Sequence, residues 1–132
     1  MNKSDLTKWI TAYKRSYETD DADLMVTLFT PDAMYQVSPF AEPSHGRDFH
    51  AMWSGGKKRR TGNHIALEIW HIDGNMAVVQ WLAHAIYFEK GLRQGNGIFR
   101  LEFAPDGRCA ALYEWQHWRW LEASAAQVGA RA

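Results

Sequence analysis

The apolar residues Leu6, Trp9, Ile10, Tyr13 and Tyr17 recur at helical spacing and form one stripe along a helix that Ser4 is expected to cap. Asp20-Asp21 interrupts this stripe. It offers a cap for a second helix carrying Leu24, Met25, Leu28 and Phe29, which Pro31 should stop. Phe49, Met52 and Trp53 predict a short third helix over about 47–54, ended by Gly55-Gly56. Between the second and third helices, Met34-Tyr35-Gln36-Val37 reads as a short strand and Pro39-Phe40-Ala41-Glu42-Pro43 as an ordered loop.

Beyond residue 62 the period shortens to two. Residues 65–72, 76–88, 92–103 and 109–120 alternate and are rich in β-branched and aromatic side chains, which predicts four strands. Asp73-Gly74-Asn75, Glu89-Lys90-Gly91 and Pro105-Asp106-Gly107 separate them as turns. Short turns join antiparallel neighbours, so this half should be a meander. Helices first and a sheet afterwards predict an α+β fold with the helices on one sheet face. No repeat or linker divides the chain. One domain over 1–122 is expected, with a small, Ala-rich tail at 123–132 that frays.

Composition narrows the function classes. A chain of 132 residues and 15.2 kDa can bury roughly two thirds of its unfolded surface without staples. Fifteen Lys+Arg balance fifteen Asp+Glu, which argues against a nucleic-acid partner, since phosphate neutralisation needs a basic excess. The one basic run, Lys57-Lys58-Arg59-Arg60, reads as a solvated loop. Cys109 is the sole cysteine, so neither an internal disulfide nor a cysteine zinc site is available. The six histidines show no ligand spacing, and no metal or cofactor is expected. Residues 1–5 do not resemble a leader, and no apolar run approaches the roughly 20 residues of a membrane span. The expectation is a soluble, cytoplasmic protein with no membrane partner. Seven Trp within 14% aromatics are unusual, and such rings line ligand pockets and interfaces as well as cores.

Leu28-Phe29-Thr30-Pro31-Asp32-Ala33, then Tyr35, Ser38-Pro39-Phe40, Gly46-Arg47 and Trp53, followed by four strands of which the last carries Glu114-Trp115, form a longer pattern. Over about residues 5–120 it resembles the nuclear transport factor 2-like superfamily, especially its SnoaL-like branch. The resemblance implies a cone in which helices and a curved, mixed, mainly antiparallel sheet enclose an apolar pocket, often with a dimer across the outer sheet face. It leaves function open among polyketide cyclases, steroid isomerases, epoxide hydrolases, dehydratases and non-catalytic binders.

Combined with strand alternation, the resemblance assigns Val79, Trp81, Ala83, Ala85 and Tyr87, then Gly97, Phe99 and Leu101, then Leu112, Glu114, Gln116 and Trp118 to the cone interior. Of these, Trp81, Ala83, Ala85, Phe99, Leu112 and Gln116 belong to the expected ligand-binding set, which Trp9 and Tyr17 on the first helix, with Tyr35, Phe40 and Trp53, complete. Glu114 is the only inner-face group ionisable near neutral pH, and desolvation would raise its pKa toward a value suited to proton transfer. A structural carboxylate paired with an arginine or backbone donors is the alternative. Tyr13 falls where steroid isomerases place a catalytic tyrosine and could donate to a substrate oxyanion, or could be a core ring. The isomerase match stops there, because Ser38 and Phe99 replace its two aspartates. Against the epoxide hydrolases, Glu114 matches one acid, but Ala83 and Ala85 stand where an arginine and an aspartate act on water. His64, placed near the cone mouth, is the third candidate catalytic residue, and His45 a possible rim group.

Two function classes follow: a cofactor-free enzyme moving protons on a small hydrophobic substrate, as isomerase, cyclase, lyase or hydrolase, and a binder of a hydrophobic small molecule. Trp70, Leu82, Ile86, Tyr113 and Trp115 share the outer face, which predicts a homodimer through it.

Overall fold

The computed structural model describes residues 1–121; the predicted tail at 123–132 lies outside the described residues. Helix α1 (Lys3–Thr19) buries Leu6, Trp9 and Tyr13 as its stripe predicts. Its cap is Asn2 and not Ser4: the Asn2 side chain accepts from the Asp5 N–H at 2.8 Å while Asp5 returns a bond to the Asn2 N–H. This reciprocal pair satisfies two otherwise orphaned donors and starts the helix earlier. Asp20, in the left-handed region at φ 49°, ends α1. Asp21 then caps helix α2 (Ala22–Thr27) through the Leu24 N–H at 3.0 Å.

Helix α2 closes sooner than its apolar pattern predicts. Phe29 opens strand β1 (Phe29–Gln36), pairs with Cys109, and packs edge-on against Trp9 and Phe49. Tertiary packing of that ring outweighs the local helical period. Pro31 therefore stops no helix; it occupies a break in register between Phe29 and Met34, where it need not donate to the ladder. Asp32 is exposed in the same break.

A two-residue strand β2 (Ser44–His45) adds to β1, and a 3-10 turn (Gly46–Asp48) leads into α3 (Phe49–Trp53). The basic run is no loop: Gly56–Arg59 forms a one-turn helix, α4, and Arg60 already belongs to β3 (Arg60–Asp73). Strands β4 (Met76–Tyr87), β5 (Gly91–Phe103) and β6 (Cys109–Trp120) follow the predicted boundaries closely. Gly74, at φ 60°, supplies the left-handed residue for the tight β3–β4 turn. The sheet order is β2-β1-β6-β5-β4-β3, with β1 parallel to β6 and every other neighbour antiparallel. Register shifts at Thr61/His64 and Ile69/His71 bend β3. Helix α1 lies against β3, and Leu6, Trp9, Phe49, Val79, Phe99 and Leu112 are among the core residues between the layers. Among the described residues, no helix is long and apolar enough to cross a membrane.

Candidate functional site

A cavity of about 340 Å³ opens between the second half of α1, α2, Trp53 of α3 and the inner sheet face. Two glycines make room for its indoles. A Cβ at Gly97 would run into the Trp81 ring and the Trp115 carbonyl, and one at Gly95 would lie 2.6 Å from the Trp118 ring. Trp81 and Trp118 can therefore lie down on β5, their rings 5.5 Å apart.

Glu114 enters this cavity from β6, opposite Phe99 in the register. It is only 6% exposed. Tyr35 donates to its Oε1 at 2.7 Å, and Gln116 Nε2 approaches the same oxygen at 3.5 Å. Gln116 is itself fixed, donating to the Val37 carbonyl at 2.6 Å and accepting from the Trp118 indole at 2.6 Å. No described donor bonds Oε2. The Trp81 N–H faces the carboxyl group without reaching full hydrogen-bond geometry, and has no other partner among the described residues. Burial pushes the Glu114 carboxyl up from its ordinary 4.5 to about 7, with the Tyr35 bond pulling the other way. Tyr35 thus anchors one oxygen of an acid that burial poises near neutrality.

The structure gathers Tyr13, Tyr17, Tyr35, Trp53, Trp81, Ala83, Phe99, Glu114 and Gln116 around the cavity, as the sequence predicts. Burial raises the Tyr13 hydroxyl well above its ordinary range, and the Glu114 charge raises it further, so Tyr13 stays a neutral donor. The Tyr35 hydroxyl is raised by the same two causes.

Five expected site residues are elsewhere. Trp9 is a core ring stacked on Tyr13 at 5.4 Å, its N–H donating to the Leu28 carbonyl at 2.9 Å. Ala85 and Leu112 face inward but are buried in the sheet outside the cavity lining. Phe40 is fully exposed on its loop. His64 departs furthest: with Ile65 pointing inward, alternation turns His64 outward, where it meets Glu18 at 3.0 Å and stacks near His84 at 5.1 Å. Regular pairing from His64 onward places it opposite the outward-facing His84, so the alternation of the strand already gives its direction. His45, the other rim candidate, sits in β2 and does not line the cavity.

Trp118, expected on the inner face, lines it too, and so do residues outside the expected site, among them Ser16, Asp20, Arg59 and Arg60. The basic run was the available signal for the arginines, and its charge pointed to solvent. Among the described residues, no group of three or more His, Cys, Asp or Glu could hold a metal.

The profile of the SnoaL-like domain matches residues 9–112. A search of curated proteins found no match. Among solved structures, an LEH-like epoxide hydrolase of M. tuberculosis superposes with TM-score 0.68 at 14% identity, covering 97% of this chain and 91% of its own. SalBIII, an epoxide hydrolase/cyclase-like enzyme of pyran ring formation in the polyether salinomycin, gives 0.70 at 14%, with 88% and 93% covered. AusH from Aspergillus nidulans gives 0.76 at 10%, with 88% and 86% covered. At these identities the likeness concerns the fold.

Proposed function

The chain belongs to the SnoaL-like domain family, and on that premise we propose that it is a cofactor-free enzyme in which Glu114 moves a proton on a small hydrophobic substrate. The observation that carries this reading is the Glu114 carboxyl: buried, raised to about 7, and held by one oxygen only. Near neutral pH both its forms are populated, so Oε2 can take a proton from a substrate C–H or O–H and return it to another atom. The electron pair left on the substrate as an enolate or phenolate would meet the Tyr13 hydroxyl, a neutral donor in the same cavity. Isomerisation, cyclisation and elimination all fit such a step. Hydrolysis by paired carboxylates fits less well, because Ala83, also in the lining, carries no acid and Asp20 is occupied by Arg60 and Asn63. The same reading includes a homodimer through the outer sheet face, where Trp70, Leu82 and Trp115 are exposed.

A second reading, a binder without chemistry, is favoured by the ring-rich lining of Trp53, Trp81, Phe99 and Trp118, which can hold a flat apolar ligand unaided. Native mass spectrometry of the purified protein, followed by turnover of the co-purified molecule, separates the two. Glu114→Gln should lower turnover about 10²–10⁴-fold with binding retained. An inert lipid in the cavity would leave the binder, and full turnover by the variant would remove Glu114 from the chemistry.

A further inference from the structure

The cavity has a second polar pole, built around Arg60. The side chain of this residue is 14% exposed and that of its partner Asp20 7%. Asp20 Oδ1 receives Arg60 Nη2 at 2.7 Å and Nε at 3.3 Å, which fills the side-on edge of the guanidinium. Asp20 Oδ2 accepts from Asn63 at 2.6 Å, so the carboxylate has both oxygens engaged. The end-on edge is different. Among the described residues its Nη1 meets only the hydroxyls of Tyr17 and Tyr87, at 3.5 and 3.4 Å, the outer limit of a hydrogen bond. The guanidinium also lies over the Tyr17 ring, 4.7 Å from its centroid. A largely desolvated cation with an under-used donor edge is costly unless an acceptor meets it.

We infer that Arg60 and Tyr17 form an anion subsite, and that the ligand of this cavity is a small apolar molecule bearing a carboxylate, held on the end-on edge of Arg60. This rests on reading the cavity as the substrate site, and it names the substrate class. The guanidinium fork matches two carboxylate oxygens, and the Tyr17 and Tyr87 hydroxyls, which accept from Arg60, can donate onward to the same oxygens. The two poles are separate: Arg60 opens β3 and Glu114 lies on β6, with β5 and β4 between them in the sheet. A ligand anchored by its charge at Arg60 would extend its apolar body along Trp81 and Trp118 toward the acid, leaving Glu114 its raised value. The basic run also finds a purpose here. Arg59 lines the cavity too, and Lys57 and Lys58 precede it on α4, which raises the local potential for an entering anion. Asp21, the other acid in the lining, is engaged as the cap of α2.

The test compares 2-naphthoate with the neutral 2-naphthamide by calorimetric titration of the full chain. Naphthoate should bind about 10–100-fold more tightly, the value of one charge-assisted pair. Arg60→Gln should bring the ratio to about one by weakening naphthoate alone. Because that change leaves Asp20 buried without its cation, the double variant Asp20→Asn/Arg60→Gln is measured beside it, with circular dichroism to establish folding. Equal affinities in the unaltered protein, no binding of either probe into the millimolar range, or a ratio that survives in the folded double variant would overturn the inference. Glu114→Gln should keep the ratio. Loss of the ratio with turnover still sensitive to Glu114 refutes the anion subsite alone; a retained ratio with full turnover in Glu114→Gln refutes the catalytic reading alone.

Discussion

Glu114→Gln should remove the pH dependence that this one carboxyl imposes on stability. In the folded chain its pKa is about 7, and in the unfolded chain it returns to 4.5. A carboxyl with a raised folded value binds its proton more tightly in the native state. Between the two values the native protein holds a proton that the unfolded chain has released, so stability falls as pH rises. Below 4.5 the penalty is absent, and above 7 it is complete. Integrating from pH 5 to pH 8 gives a loss of about 2–3 kcal/mol from this group. Gln keeps the volume and can still accept from Tyr35, but it has no charge to desolvate. The variant should therefore gain on the unaltered protein by about 2–3 kcal/mol between pH 5 and pH 8, whatever its offset at pH 5. Urea denaturation of both proteins at the two pH values measures this as a difference of differences, which cancels every other titrating group. A gap that stays constant within about 0.5 kcal/mol would show that Glu114 is not buried as an uncompensated acid. The assignment of a poised proton carrier would then fail.

Three further outcomes are expected. Tyr35→Phe removes the hydrogen bond that holds the Glu114 value down, so the carboxyl should titrate above about 7; carbon NMR of the labelled side chain reads the midpoint, and an unchanged midpoint counts against the bond. Gly97→Ala forces a methyl group into the Trp81 ring and the Trp115 carbonyl and should cost about 1–3 kcal/mol in urea denaturation while weakening ligand binding, whereas a neutral effect would mean that the indole does not lie on β5. Sedimentation should give roughly 30 kDa for the homodimer, falling to the 15.2 kDa chain mass in Trp115→Lys; a monomer in the unaltered protein would refute the outer-face interface.

What the sequence determined by itself was local in origin. The two-residue period and the turn residues Gly74 and Gly107 mark β3 to β6 because alternation and left-handed turn positions need only near neighbours. The same alternation put Glu114, Trp81 and Phe99 on one face, and together with the family resemblance it brought most of the cavity lining into view. The tertiary structure decided what depends on partners distant in sequence. Phe29 leaves a helical stripe because Trp9, Phe49 and Cys109 receive it in a strand. His64, which alternation from Ile65 turns outward, finds its partner at 3.0 Å in Glu18 of α1, which no pattern within β3 names. Arg60 turns from a solvent-seeking member of a basic run into a cavity residue because Asp20, 40 positions away, offers a buried carboxylate. A charge declares its sign in the sequence, but only the fold supplies the counter-charge that makes its burial affordable.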